Sequence, residues 1–208
     1  MGRIFCIIGK SSSGKDTLYK RLLKNKSLQL KRIVPYTTRP IRAGEQEGVE
    51  YYFTTVEALQ ELKTENKIIE CRSYDTVYGM WHYFMAKDSQ ITLEKYDYLV
   101  IGTLESYINI RDYFGESKVV PIYIDLEDGE RLMRAIKREK KQVLPQYEEL
   151  CRRFLADAKD FSKENLDKAG ITRYFDNHNL KDCLNEISDY IIAQSHSKME
   201  IYNETNGF

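Results

Sequence analysis

The sequence predicts an α/β protein built around a central parallel sheet. Three short apolar runs, at residues 4–8, 98–101 and 119–124, have the composition of inner strands, which are apolar throughout when both faces of a sheet are covered. Segments with helical spacing lie between and after these runs, and strands that alternate with helices form mostly parallel sheets. The length of 208 residues suits one compact unit with a small inserted subdomain.

The composition does not favour a nucleic-acid-binding, membrane-bound or metal-binding protein. The 32 lysines and arginines balance 32 aspartates and glutamates, so bulk charge favours neither a nucleic-acid nor a membrane partner. The apolar run at the start is too short for a signal peptide or a membrane span. The four cysteines have no metal-like spacing, which indicates reduced thiols in a cytoplasmic protein. They are Cys6, Cys71, Cys151 and Cys183. The sequence leaves the oligomeric state open.

Further elements follow from periodicity and composition. One helical pattern begins near residue 14. Others occur at residues 56–62, at residues 128–158 with an interruption near Pro145, and at residues 180–192. Strand-like segments occur at residues 30–36, 51–53, 68–69 and 171–175. Pro121 slightly weakens the third apolar run as a strand, because proline cannot donate to a ladder. Residues 196–208 are polar and are predicted to be frayed.

Residues 9–17, GKSSSGKDT, follow the first predicted strand and open the first predicted helix. In that context two glycines let the backbone wrap with its N–H groups towards phosphate oxygens, and the helix N-terminus adds positive partial charge. Lys15 is placed to reach the β- and γ-phosphates. The motif predicts a P-loop NTPase-type sandwich that binds ATP through Gly9, Lys10, Ser11, Ser12, Ser13, Gly14, Lys15, Asp16 and Thr17.

Asp16 departs from the usual pattern, because serine or threonine normally contacts magnesium at that position and Thr17 comes one residue late. Mg²⁺ binds readily through one carboxylate together with phosphate oxygens. We therefore expect Mg²⁺ as the cofactor, with ATP as co-substrate, and Asp16 as its protein ligand, directly or through water. The alternative is that Asp16 is a helix-end acid that points to solvent.

Residues 37–45, TTRPIRAGE, followed by Gly48 and the triplet 51–53, resemble the signature of the guanylate kinase family. The resemblance extends from residue 4 to about residue 192. Two arginines three residues apart in a loop provide paired guanidinium groups suited to one phosphate dianion. The resemblance implies ATP-dependent phosphorylation of a nucleoside monophosphate, GMP above all. It also implies that Arg39, Arg42 and Tyr51 hold the acceptor phosphate.

The same resemblance extends to the acceptor base. Glu70, in the segment KIIE, matches the family glutamate that recognises guanine, whose N1–H and 2-amino group can both donate to one carboxylate. Tyr78 precedes Gly79 as in the family's Tyr-Gly pair and is assigned to acceptor binding. Three positions depart from the family pattern by replacing polar groups near the base or the metal. They are Pro35, Met80 and Thr103.

Three arginines in the charged helical region match the family's lid. Arg134 and Arg138 lie one helical turn apart, and Arg153 follows after an insertion of about four residues. Arginines that close over ATP can neutralise charge developing during transfer and exclude water. We expect Lys15 and these three arginines to be catalytic. Asn177 matches a family asparagine near the ATP base.

The predicted organisation is a single domain over residues 1–195. Its core comprises 1–34, 91–130 and 156–195, with an acceptor-binding subdomain at 35–90 and a helical lid at 131–155. One rival function is a same-fold kinase for another phosphorylated small molecule, because the ribose 1,5-bisphosphate kinase family shares the GKD phosphate loop. Another is a non-catalytic binding module of the same fold, which the intact phosphate loop disfavours.

Overall fold

The computed structural model describes residues 1–42, 44–76 and 79–206, with side chains as far as residue 195. Nine strands occur in this part of the chain: β1 Ile4–Ile8, β2 Lys31–Arg32, β3 Tyr36–Thr37, β4 Tyr52–Phe53, β5 Ile68–Thr76, β6 Gly79–Ala86, β7 Tyr98–Ile101, β8 Val119–Asp125 and β9 Tyr174–Asp176. Seven α-helices occur there: α1 Lys15–Lys24, α2 Val56–Thr64, α3 Leu104–Phe114, α4 Asp128–Glu139, α5 Tyr147–Asp160, α6 Lys163–Lys168 and α7 Leu180–Asn206.

The central sheet has five parallel strands in the order β2-β7-β1-β8-β9. Strand β1 lies in the middle, and all five of its residues are buried. The three apolar runs of the sequence are β7, β1 and β8, so the predicted α/β fold with a central parallel sheet is confirmed. Functional loops of such sheets follow the carboxyl ends of the strands.

Apolar side chains cover both faces of this sheet. On one face, alternate residues of the strands pack with α1 and α7, and on the other face they pack with α3 and α6. The first layer includes Phe5, Ile7, Leu18, Leu22, Leu99, Ile122 and Ile187. The second layer includes Ile4, Cys6, Ile8, Val100, Tyr107, Ile110 and Leu166.

Strand β8 accommodates Pro121 because the strand is only partly paired on one side. Pro121 lies opposite Cys6 of β1, whereas the pairing with β9 begins two residues later at Tyr123. The backbone O of Lys118 accepts from Ile4 N, so the backbone groups of Lys118 and of every second residue after it face β1. The backbone of Pro121 faces the other side. The missing donor therefore faces a side where no strand has yet joined.

A second sheet of four strands, in the order β4-β3-β6-β5, lies within residues 35–90. Strands β5 and β6 form a long antiparallel hairpin, and β3 joins β6 antiparallel. Side chains opposite each other in a ladder share one face of a sheet. One face therefore carries Glu70, Arg72 and Tyr74 of β5, Trp81 and Tyr83 of β6, Thr37 of β3 and Phe53 of β4.

Several elements differ from the sequence predictions. The strand expected at 68–69 extends to residue 76 and pairs with β6, and neither β6 nor helices α3 and α6 were predicted. The hairpin is half-exposed and carries polar residues on both faces, so an apolar run could not reveal it. The strand predicted at 171–175 is the shorter β9.

The C-terminal helix is longer than the sequence analysis predicted. Helix α7 was expected to end near residue 192 with a frayed tail over 196–208, but it continues to Asn206. No glycine or proline interrupts residues 180–206, and Gly207 follows directly. Polar composition alone does not end a helix when no breaking residue is present.

Replacing Leu22 by alanine should destabilise the domain strongly. Its side chain is 0% exposed between α1 and the sheet, so truncation leaves a cavity that costs about 2–5 kcal/mol of unfolding free energy. Chemical denaturation followed by circular dichroism measures this change. Leu155→Ala is the matched control, because that helical leucine is 70% exposed and should cost less than about 0.5 kcal/mol. Equal effects of the two variants would contradict the packing described here.

Candidate active site

The phosphate loop joins β1 to α1 and requires both of its glycines. At Gly9, φ is +154°, and a Cβ would lie 2.6 Å from the backbone O of Ile124 in β8. At Gly14, the residue before α1, φ is +90°, and a Cβ would lie 2.3 Å from Nδ2 of Asn177. At Gly9 the contact with backbone excludes a side chain, and at Gly14 the left-handed φ disfavours one, so the loop conformation depends on both glycines.

Unpaired polar atoms lie around this loop. Ser12 has φ +64°, a left-handed conformation that is uncommon for serine. Within the described residues, Ser12 Oγ, Ser13 Oγ and Asn177 Oδ1 are buried without a hydrogen-bond partner. A buried polar atom left unpaired costs roughly 1–3 kcal/mol, and such atoms cluster where a polar ligand binds. The loop thus has the chemistry of a site that a polar ligand completes.

Charged side chains converge on Lys15. Burial lowers the pKa of its ammonium group, as do the nearby Arg153 and Arg138, whereas Asp16 and Asp157 act in the opposite direction. Lys15, Arg138 and Arg153 were all predicted to be catalytic, and the structure brings them close enough to interact electrostatically. Positive groups held together at a phosphate loop favour the binding of a polyanion.

Helices α4 and α5, which contain the predicted lid at residues 131–155, contact this loop. Arg153 Nη2 donates to Ser11 Oγ at 3.1 Å, and Arg134 Nη2 donates to the backbone O of Asn177 at 3.1 Å. Arg134 therefore lies at the end of β9 beside the loop. Asn177 is buried, and its Nδ2 donates to Ser13 O at 2.6 Å, which ties β9 to the phosphate loop.

A cavity of about 390 Å³ lies between the phosphate loop and the lid. Its lining includes Ser11 and Ser12 of the loop, Arg138 and Arg153 of the lid, and Arg42 from the predicted acceptor subdomain. Within the described part of the chain, none of these three arginines forms a salt bridge with an acid. Glu139 and Glu149 also line the cavity, so donor-side and acceptor-side residues of the sequence prediction share one cavity bordered by three arginines and two acids.

Sequence reasoning missed the charged pair that holds Ser11. Arg131 is 1% exposed, and its Nε donates to Ser11 O at 3.1 Å. Asp157 Oδ2 accepts from Ser11 N at 2.7 Å and lies 3.3 Å from Arg131 Nη2. Asp157 follows Arg153 by four residues and so shares its helix face, which was the one available signal. Arg131 also pairs with Asp128.

On the acceptor side, Arg39 and Tyr51 lie together. Arg39 is buried and forms a two-bond pair with Glu45, at 2.7 and 2.6 Å, which holds the pKa of Glu45 at about 2. Its guanidinium carbon lies 5.0 Å from the Tyr51 ring centre and 5.5 Å from that of Phe53. Burial raises the pKa of Tyr51. The phosphate-binding arginine predicted here is thus held rigidly by its neighbours.

Arg42 differs from Arg39 in being exposed. Its guanidinium carbon lies 5.9 Å from the ring centre of Trp81, and the side chain borders the cavity. Glu70 is buried on the same sheet face and is paired with Arg72, an arginine that the sequence analysis did not single out. Tyr78 lies outside the described residues, so its predicted role stays a prediction.

The surroundings of Asp16 bear on the predicted Mg²⁺ site. Asp16 is exposed in the first turn of α1, with no salt bridge or hydrogen bond to its carboxylate among the residues described. Its oxygens are hard ligands next to the phosphate loop, and this donor type fits Mg²⁺. Across the described chain, no cluster of three or more histidine, cysteine or acidic residues could hold a metal by itself. Nor does any helix described here have the length and apolarity to cross a membrane.

Comparison with known proteins places this chain in a family. The protein-family model described as guanylate kinase matches residues 1–194 of this chain. A guanylate kinase from Mycoplasma mobile is 27% identical over 94% of this chain and 94% of its own length. One from Caldanaerobacter subterraneus subsp. tengcongensis is 30% identical over 74% and 70%. The crystal structure of guanylate kinase from Anaplasma phagocytophilum has the same fold, with a TM-score of 0.62, 23% identity and coverage of 93% of this chain and 86% of that one. The chain therefore belongs to the guanylate kinase family.

Proposed function

We propose that this protein transfers the γ-phosphoryl group of ATP to GMP and releases ADP and GDP. The observation that carries the proposal is the shared cavity, in which loop residues, lid arginines and Arg42 meet. Relatives that match most of this chain are described as guanylate kinases, which supports GMP as the acceptor. Phosphoryl transfer between two bound anions needs both anions in one cationic, water-excluding site.

In the donor half, residues 9–17 bind the triphosphate. Backbone N–H groups of the loop and the N-terminus of α1 point towards phosphate oxygens, and Lys15 contacts the β- and γ-phosphates. Arg134, Arg138 and Arg153 neutralise charge as the phosphoryl group leaves ADP. Asn177, held against Ser13 at the end of β9, borders the nucleotide. Lys15 and the three lid arginines are the proposed catalytic residues.

In the acceptor half, Arg42 contributes the open guanidinium, and Arg39 and Tyr51 complete the phosphate site. An oxygen of the acceptor phosphate attacks the γ-phosphorus. The bond between that phosphorus and the β–γ bridging oxygen breaks, and its electrons stay with ADP. No side-chain nucleophile is required, because the acceptor supplies the attacking atom. Positioning and charge neutralisation therefore account for the catalysis.

Glu70 and Tyr78 are proposed to contact the acceptor base. Glu70 lies on the sheet face that also carries Trp81, beside Arg42. Its carboxylate could accept from guanine N1–H and the 2-amino group, whereas adenine presents an acceptor at N1. Met80 is exposed on β6 and supplies no hydrogen bond to the base. Recognition of guanine thus depends mainly on one carboxylate.

We also propose Mg²⁺ as the cofactor delivered with ATP, with Asp16 as its protein ligand. When bound, the ion would neutralise phosphate charge that a carboxylate at this position would otherwise repel. The residues 1–195 are proposed to act as one domain, with acceptor binding at 35–90 and the lid at 131–155. A cytoplasmic location, with nucleotides rather than nucleic acid as partners, is consistent with four free cysteines.

The principal rival is transfer to another phosphorylated small molecule, such as ribose 1,5-bisphosphate. One observation favours keeping it, because Glu70 is already paired with Arg72 in the free site. Assays with GMP, dGMP, IMP, AMP, UMP and ribose 1,5-bisphosphate separate the candidates. The proposal requires GMP to have the highest kcat/KM, and a higher value for another acceptor would replace GMP in this account.

Replacing Lys15 by alanine should lower kcat with GMP by about 100- to 1000-fold, because a positive group on the transferred phosphoryl is lost. Lys20→Ala is the matched control, since Lys20 is exposed on the same helix. A coupled assay for ADP measures both variants, and thermal unfolding checks that each is folded. Turnover of Lys15→Ala within tenfold of the unmutated protein would exclude the proposed mechanism.

Replacing Arg42 by alanine should raise the KM for GMP by roughly 10- to 100-fold, the value of one charge-assisted hydrogen bond. The KM for ATP should change by less than about threefold, because Arg42 is assigned to the acceptor. Arg21→Ala, at an exposed position of α1, serves as the control. A larger effect on ATP than on GMP would reverse the assignment of the two halves.

Replacing Asp16 by asparagine tests the metal ligand. We expect ATP affinity of the unmutated protein to rise by about tenfold or more when Mg²⁺ is added, and the variant to lose most of that rise. Titration calorimetry with and without Mg²⁺ measures it directly, without turnover. Glu105→Gln, an exposed first-turn acid of α3, is the control. An unchanged Mg²⁺ dependence in Asp16→Asn would leave Asp16 as a helix-end acid alone.

A further inference from the structure

The carboxylate of Glu70 is held by its neighbour on β5. Arg72 Nε donates to Glu70 Oε2 at 3.0 Å, and Arg72 Nη2 donates to Glu70 Oε1 at 3.2 Å. Both side chains are enclosed, with 14% of Arg72 and 2% of Glu70 exposed. Two parallel N–H groups of one guanidinium thus engage both oxygens of one carboxylate. This two-bond geometry is the strongest that an arginine and a carboxylate form.

Guanine would need the same two oxygens. Its N1–H and 2-amino group are parallel donors on adjacent atoms, as in a guanidinium, and they pair with a carboxylate through both oxygens. We propose that Arg72 is a specificity-determining residue that occupies the guanine-binding edge of Glu70 until the acceptor base displaces it. This inference rests on the proposed function, because it concerns how the same site recognises GMP.

The core of the protein holds Arg72 in this position. Arg72 Nη1 donates to Thr103 Oγ1 at 3.3 Å, and the same oxygen accepts from Ser106 N at 3.2 Å at the start of α3. The guanidinium therefore bridges the second sheet and the N-terminus of a core helix. Guanine, which engages both oxygens of Glu70, must break two bonds to Arg72, and a base with one donor must break one, while the contact to Thr103 holds the arginine nearby. Displacement has a free-energy cost that subtracts from base recognition.

This competition predicts a particular pattern of selectivity. GMP can replace both bonds to Glu70, IMP lacks the 2-amino group and can replace one, and AMP offers N1 as an acceptor. Because each new bond to guanine replaces an existing bond to Arg72, the advantage of GMP over IMP should be small in the unmutated protein. Weakening the hold of Arg72 on Glu70 should enlarge that advantage.

Arg72→Lys is the sharpest variant. Lysine keeps a positive charge beside the buried carboxylate, but it makes a point contact in place of the two-bond pair. The guanine-binding edge of Glu70 therefore becomes free. We expect the ratio of kcat/KM for GMP to that for IMP to rise about five- to tenfold, the value of roughly one hydrogen bond. Arg173→Lys is the matched control, because Arg173 forms an exposed pair with Glu186 away from the site.

Binding can be measured without turnover. Trp81 is the sole tryptophan of the chain and lies on the acceptor face near Arg42, so its fluorescence serves as the probe. GMP should bind Arg72→Lys more tightly than the unmutated protein, and IMP should gain less. If Arg72→Lys does not fold, as judged by circular dichroism, Arg72→Gln takes its place, with the same expected direction because glutamine also lacks the two-bond fork.

Every outcome decides the inference. An unchanged or smaller ratio of GMP to IMP, or weaker GMP binding by the variant, would show that Arg72 is a structural or direct-binding residue and would overturn the proposal. Failure of GMP to bind any variant would overturn it as well. If GMP binds Arg72→Lys more tightly but the unmutated protein does not phosphorylate it, the proposed function fails and the inference about Arg72 stands.

Discussion

Hydrogen bonds to the backbone of the phosphate loop hold the whole site together. Asp157 of α5 accepts from Ser11 N, and Arg131 of α4 donates to Ser11 O, so both helices bind the backbone of the same loop residue. From the opposite side, Asn177 donates to Ser13 O and links β9 to the loop. Gly14 permits the close approach of Asn177, and Gly9 that of the backbone O of Ile124, because neither glycine has a side chain. Hydrogen bonds therefore join α4, α5 and β9 to the phosphate loop.

Charge pairing divides the site into neutral and cationic parts. Arg39 is paired with Glu45 and Arg72 with Glu70, so the charge of each of these buried arginines is offset by an acid. Arg42 and the two lid arginines that border the cavity form no such pairs among the described residues. Among the described residues, guanidinium groups without a salt bridge thus lie, beside Glu139 and Glu149, where two phosphate groups would meet. This distribution allows binding of anions without a large net charge on the protein.

Local patterns predicted the fold better than they predicted side-chain partners. Apolar runs identified β1, β7 and β8, because a strand covered on both faces must be apolar. The glycine spacing identified the phosphate loop for a similar reason, since both positions have a backbone φ that strains any other residue. The partner of Glu70 could not be found in this way. The pairing of Glu70 with Arg72 depends on how the half-polar hairpin of β5 and β6 folds, and nothing in the sequence marks Arg72 as a buried residue. The buried Arg131 was hidden in the same manner within a charged helix.

The central claim is that ATP and the acceptor phosphate occupy one continuous cavity between the phosphate loop, the lid and Arg42. A single molecule in which adenosine and guanosine are joined by five phosphates tests it directly. Such a ligand spans both halves and gains from making the second binding event intramolecular. Titration calorimetry should give a dissociation constant at least about 100-fold below those of ATP and GMP measured alone. An affinity no tighter than that of ATP would show that the two halves do not form a common site and would contradict the account.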